Sequence, residues 1–196
     1  NFLTNNKKKI ISSVLILVIL VIGIYSIDTY KKHTKLKLAD KYNFAVINFN
    51  PENSRKIIEN LTDIVKANDT TYSPLALYFL IDNNLIENQE EINQLFDEVI
   101  NKTKLDKEIK NLNIYKKGLF NSNFVSENEL LMILNPLINS ESIWKSHALY
   151  LIAEYFYSKG EKQKAKEFFN QILSFPEVNT DIKSASQKRI NRDLSE

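Results

Sequence analysis

The chain opens on one long apolar run and then settles into short stripes of apolar residues at helical spacing. From Ile10 to Ile27 the stretch IISSVLILVILVIGIYSI carries no charge. A helix of that length rises about 27 Å, close to the roughly 30 Å hydrocarbon thickness of a bilayer. Lys7, Lys8 and Lys9 precede it, and Tyr25, Tyr30, Lys31 and Lys32 lie at its far end, as a basic and aromatic interface belt would. The pattern predicts a transmembrane helix over 10–27 behind a short basic segment over 1–9. A cleaved signal peptide is the rival reading. Its apolar region is shorter, about 7–15 residues, and Gly23-Ile24-Tyr25 puts a bulky residue where cleavage needs a small one. Lysines flank both ends, so charge bias does not set the orientation.

Beyond Asp28 the period stays helical. Leu36, Leu38, Tyr42, Ala45, Val46 and Phe49 continue a helix out of the first run, over 28–49. Asn50-Pro51 and Ser73-Pro74 each offer a cap followed by proline at a first helical position. Ile57, Ile58, Leu61, Ile64 and Val65 form a clean stripe between them. The helix from Ser73 to about Leu85 is apolar almost all round and is expected to be buried on several sides. Asn88 with Glu91, and Ser126 with Glu129, read as capping pairs. Ile92, Leu95, Phe96, Val99 and Ile100 follow the first pair, and Leu130, Leu131, Ile133, Leu134, Leu137 and Ile138 follow the second. Between them Leu105–Phe120 is a weaker helix, with Ile109, Leu112, Tyr115 and Leu119 on one side. Helices over Ile143–Tyr157, Glu161–Phe175 and Thr180–Leu194 complete an all-α expectation, since no segment alternates like a half-buried strand.

These helices come in pairs, a denser one followed by a turn and a narrower stripe. Val99–Ile100, Ile133–Leu134 and Ile172–Leu173 end three second helices, about 34 and 39 residues apart, near the period of tetratricopeptide arrays. The clearest unit holds Ala153, Phe156, Gly160, Ala165, Phe169 and Pro176. The alanines let two backbones approach, and Gly160 accepts a positive φ at a helix end. The phenylalanines fill the space between helices, and Pro176 closes the second helix. Asn83–Asn84 and Asn121–Asn123 stand where other units would place the glycine, and Asn tolerates the same geometry. The expected architecture is a transmembrane helix followed by a tetratricopeptide-like α-solenoid over 50–196.

Composition narrows the chemistry. Three glycines in 196 residues leave little for phosphate-binding loops, and no cysteine excludes disulfides, thiol catalysis and Cys-ligated zinc. The net charge is +2, and Lys7–Lys9 supply +3 of it. The remainder is close to neutral, without the basic footprint of a nucleic-acid binder. The two histidines, His33 and His147, form no metal-binding or catalytic motif. The chain therefore reads as non-enzymatic, with no cofactor, metal or small-molecule substrate. Its candidate site is a partner groove along the first helix of the last unit, lined by His147, Tyr150, Glu154 and Tyr157 at spacings of three, four and three. The alternative is that these side chains pack on the neighbouring helix pair.

The basic N-terminus, single apolar run, continuing helix and degenerate repeats, with NPLINSESIWKSHALYLIAEYFYSKGEKQKAKEFFNQIL as the last of them, together resemble a known family. It is the bacterial ancillary subunit of the SecYEG translocon, in its alpha-proteobacterial form, and the match is best over Leu134–Leu173. The resemblance implies an inner-membrane, single-pass protein with its N-terminus in the cytoplasm and its repeats in the periplasm. It also implies partners in the translocon and in periplasmic chaperones. A helical-repeat scaffold for envelope assembly or division is the alternative function.

Overall fold

The computed structural model describes residues 6–50, 54–176 and 178–195. Among them are nine helices and no strand: α1 (Lys7–Ile47), α2 (Ser54–Lys66), α3 (Tyr72–Asp82), α4 (Gln89–Lys102), α5 (Lys107–Asn121), α6 (Glu127–Ile138), α7 (Lys145–Ser158), α8 (Lys162–Ser174) and α9 (Thr180–Asp193). The all-α expectation holds. Pro51, the second residue of the Asn50-Pro51 signal, lies outside the described residues.

The transmembrane expectation does not hold. Among the described residues no helix is long and apolar enough to cross a membrane. A continuous helix does run through 10–27, but the side chains at 7–11, 13 and 14 lie outside the described residues. The described apolar run from Leu15 to Ile27 stops at Asp28, which pairs with Lys32 at 2.8 Å. The side chains of that run are exposed, and α1 begins to pack only at Leu38, with Tyr42 against Tyr72 and Ala45 fully buried.

From α2 onward the helices form a bundle of successive hairpins with a repeated register. One series starts at 54, 89, 127 and 162, and the other at 72, 107, 145 and 180. Both advance by 35, 38 and 35 residues. Four of the side-chain hydrogen bonds that join successive hairpins follow nearly the same spacing. Asn68–Thr103, Tyr78–Asn113 and Glu154–Arg189 each join residues 35 apart, and Glu108–Ser142 joins residues 34 apart. The expected stripes of α2, α4 and α6 supply the core, with Leu61, Ile64, Phe96, Leu130 and Leu134 almost wholly enclosed.

Local chemistry starts α4 and α6 where the cap signals place them, but not α3: its cap is Thr71, and Ser73 and Pro74 lie inside the first turn, Ser73 being drawn in by its bond to the Ile64 carbonyl. Asn88 accepts from the Glu90 and Glu91 amides at 2.9 and 3.2 Å, and Ser126 with Glu129 closes a complete capping box. Gly160, at φ +79°, ends α7 in a Schellman turn: the Glu161 amide donates to the Phe156 carbonyl and the Gly160 amide to that of Tyr157. Asn84, at φ 50°, ends α3 in the same way, its own amide donating to Ile81 and that of Leu85 to Leu80. Asn thus takes the place of glycine there. It does not do so at 121–123, where Ser122 caps α5 in right-handed geometry at φ −55°. Asn68 is a further left-handed asparagine, at φ 56°, where the Ser73 hydroxyl donates to the Ile64 carbonyl and accepts from the Asp69 amide.

The face expected for α5 is corrected. Ile109 and Leu119 are exposed, and the buried line is Asn111, Ile114, Gly118 and Asn121. Asparagines can sit inside because their amides are satisfied. Asn121 and Asn93 donate to each other at 2.7 and 2.9 Å, and Asn113 accepts from the Tyr78 hydroxyl at 3.0 Å. Gly118 is needed for a different reason: a Cβ there would run into the Leu134 side chain of α6.

Candidate functional site

The residues that define the clearest hairpin meet between α7 and α8. Ala153 and Ala165 are fully buried, and so is Phe169, while Phe156 stacks on Phe168 with centroids 5.5 Å apart. The two small residues bring the helix backbones close and the rings fill the space on either side. Pro176 follows the last turn of α8 and is exposed.

His147, Tyr150, Glu154 and Tyr157 share one side of α7, as their spacing requires, and all four are half-buried. Each already meets a side chain of its own chain. The Tyr150 ring stands edge-on to Phe169 at 5.5 Å. Glu154 accepts two hydrogen bonds from Arg189 of α9, both at 2.7 Å, and the same guanidinium lies 4.7 Å from the Tyr157 ring centre. His147 sits 5.1 Å from Trp144 and 5.8 Å from Tyr115, which stack on each other at 5.6 Å. The packing of this face against neighbouring helices is therefore what the structure contains, and most of the face is not an empty groove.

These contacts set the ionisation of the site. Burial pushes the His147 imidazole below its ordinary value, partly offset by the nearby Ile143 carbonyl, and its Nδ1 is buried without a hydrogen-bond partner among the described residues. Burial pushes the Tyr150 hydroxyl up, with the Glu154 carboxylate adding to the effect, and burial alone does the same to Tyr115. Glu154 and Asp193 together keep the Arg189 guanidinium firmly protonated.

The open surface lies beside this face. A cleft of about 1020 Å³ separates the segment before α7 from the one after α8, and His147 is the member of the expected set that lines it. Ile143 stands 69% exposed at its rim, and half-buried Trp144 and Phe175 form apolar walls with Pro176 and Val178. Lys145 lies over the Phe175 ring at 4.6 Å, and Glu141 places a carboxylate at the mouth. The Ser142 hydroxyl anchors the loop by donating to Glu108 at 2.7 Å and accepting from the Trp144 amide at 3.1 Å. The helix expected over Ile143–Tyr157 begins instead at Lys145, which leaves Ile143 and Trp144 ahead of it. The one readable signal was a pair of large apolar residues placed ahead of a helix start rather than within its stripe.

Such a cleft can hold an apolar side chain or an extended segment against flat rings, with charge at its edge to orient it. Among the described residues no group of three or more His, Cys, Asp or Glu could hold a metal ion. No family model matches the chain, and no curated protein and no solved structure is detectably similar to it.

Proposed function

We propose that the protein is a non-enzymatic protein–protein interaction module. It is a stack of tetratricopeptide-like helical hairpins that receives an apolar segment of a partner protein in the cleft between the approach to α7 and the exit from α8. The observation that carries this reading is the exposure of Ile143 beside the Trp144 and Phe175 walls of that cleft. A large apolar side chain left in water next to two aromatic surfaces is the anatomy of an interface centre. The repeated register of the hairpins supports it, since arrays of this kind present extended binding surfaces.

Trp144 is the only tryptophan of the chain, so its fluorescence reports directly on the cleft. Partner proteins captured by crosslinking to the cleft are expected to shift that emission when added to the purified chain. Ile143→Asp is expected to weaken their binding at least tenfold while leaving the circular dichroism spectrum unchanged. Equal binding by the variant would remove the cleft from the interface.

The finer reading, association with the SecYEG translocon and with periplasmic chaperones, rests on the resemblance over Leu134–Leu173. Periplasmic placement of the hairpins belongs to it. Crosslinked peptides from translocon or chaperone proteins would support it, and peptides from envelope-assembly or division proteins would favour the scaffold alternative.

A further inference from the structure

The side of α7 that carries Tyr150, Glu154 and Tyr157 is filled by a helix with little apolar hold of its own. Within α9 only Ser186 is fully buried, and Ile182 and Ile190 are half-buried. Leu194 tucks in just past its end. A helix so polar on all sides draws little stability from burial. Its specific engagement with this face of α7 comes from one residue. Arg189 Nε and Nη2 donate to the two Glu154 carboxylate oxygens at 2.7 Å, its plane lies over Tyr157 at 4.7 Å, and its Nη1 donates to Asp193 at 2.9 Å. Asp193 in turn accepts from Arg192 at 2.7 and 2.8 Å, so the fork of Arg189 is held by a carboxylate on its own helix as well.

We propose that Tyr150, Glu154 and Tyr157 form a binding site for an arginine carried on a helix of a partner protein, and that α9 occupies this site as an internal stand-in that the partner displaces. The proposal rests on the interaction-module reading but concerns a different surface from the cleft. The geometry selects the side chain. A carboxylate meeting a planar fork with two parallel hydrogen bonds suits arginine and not lysine, and an aromatic face beside it adds a stacking surface for the same flat group. The geometry also selects a helix, because an acidic residue four positions after the arginine, as Asp193 follows Arg189, holds the fork in line on one helical face. An incoming helix of this kind remakes the ion-pair and ring contacts of Arg189, and it must outcompete both the packing of Leu194, Ile182 and Ile190 and the high effective concentration of a tethered α9. The equilibrium is then set by the difference in affinity between the two helices.

The test uses the full chain and a fluorescein-labelled peptide with the sequence of residues 180–196. Wild-type chain, with its own α9 in place, is expected to bind the peptide weakly. Arg189→Glu chain, whose own helix is repelled by Glu154, is expected to bind it at least tenfold more tightly. That gain should vanish when the peptide carries lysine in place of its arginine 189, and when Glu154→Gln is added to the Arg189→Glu chain. Equal binding by wild-type and Arg189→Glu chains, or binding indifferent to the peptide's arginine, overturns the proposal. Should Arg189→Glu lose its helical circular dichroism, Arg189→Ala removes the contact without a like-charge clash and gives the same readout. Ile143→Asp bears on the cleft and is expected to leave peptide binding unchanged, so the two readings fail separately.

Discussion

His147 links position to measurable behaviour at the scale of single residues. An unfolded chain takes up a proton on histidine near pH 6.5, whereas burial holds the folded imidazole below that. As pH falls from 6.5 toward the folded value, the unfolded state binds more protons, so stability falls over that window. Above pH 6.5 this group contributes no further change. Urea midpoints measured at pH 7.5 and pH 5 should therefore differ more for the wild type than for His147→Phe, which keeps the ring contacts and cannot titrate. Identical shifts in both proteins would remove His147 as the cause. The same titration is visible optically, since the imidazole lies 5.1 Å from Trp144 and its protonation alters the quenching of that indole.

At the scale of elements, the α5–α6 contact is the most exacting. Gly118 and Leu134 face each other with no room for another methyl group. Gly118→Ala gains about 1 kcal/mol of helix propensity and loses about 1–3 kcal/mol to overpacking, so it is expected to be neutral to moderately destabilising. Gly118→Val adds bulk without comparable propensity and is expected to cost more than about 2 kcal/mol. Chemical denaturation of the three proteins checks the order, and a Val variant as stable as the wild type would mean that the helices can move apart freely.

Most helix boundaries were legible from sequence, because caps such as Asn88 and Ser126 act on amides two or three residues away. The buried face of α5 was not. Its asparagines become interior residues only when Asn93 and Tyr78, contributed by other helices, supply partners. The face of α7 was legible as a set of residues but not as a filled surface, since Arg189 comes from a helix 35 positions further on. The cleft was invisible for a similar reason: it exists only because the segments before α7 and after α8 meet. The apolar run read as a membrane span was recognised as a helix, yet among the described residues no helix is long and apolar enough to cross a membrane.

For the whole molecule, stability is expected to be graded along the chain. Helices in the middle of the bundle have neighbours on both sides, whereas the first half of α1 packs on nothing among the described residues and α9 has a thin apolar contact. Hydrogen exchange should be slowest in α3 to α7, faster in α9, and fastest between residues 15 and 37 of α1. Uniform protection over the whole length would contradict a structure held together by neighbouring hairpins.

The spacing of the interhelical hydrogen bonds has a temporal consequence. Tyr78 waits for Asn113, Glu108 for Ser142 and Glu154 for Arg189, so each completes its contacts after about one further repeat has been made. A ribosome adding roughly 5–20 residues per second supplies a stretch of that size in about 2–7 s. Each hairpin can therefore close while the next is still being synthesised. The face of α7 is covered after the contacts of Tyr78 and Glu108 are made, because Arg189 follows Asn113 and Ser142 in the chain.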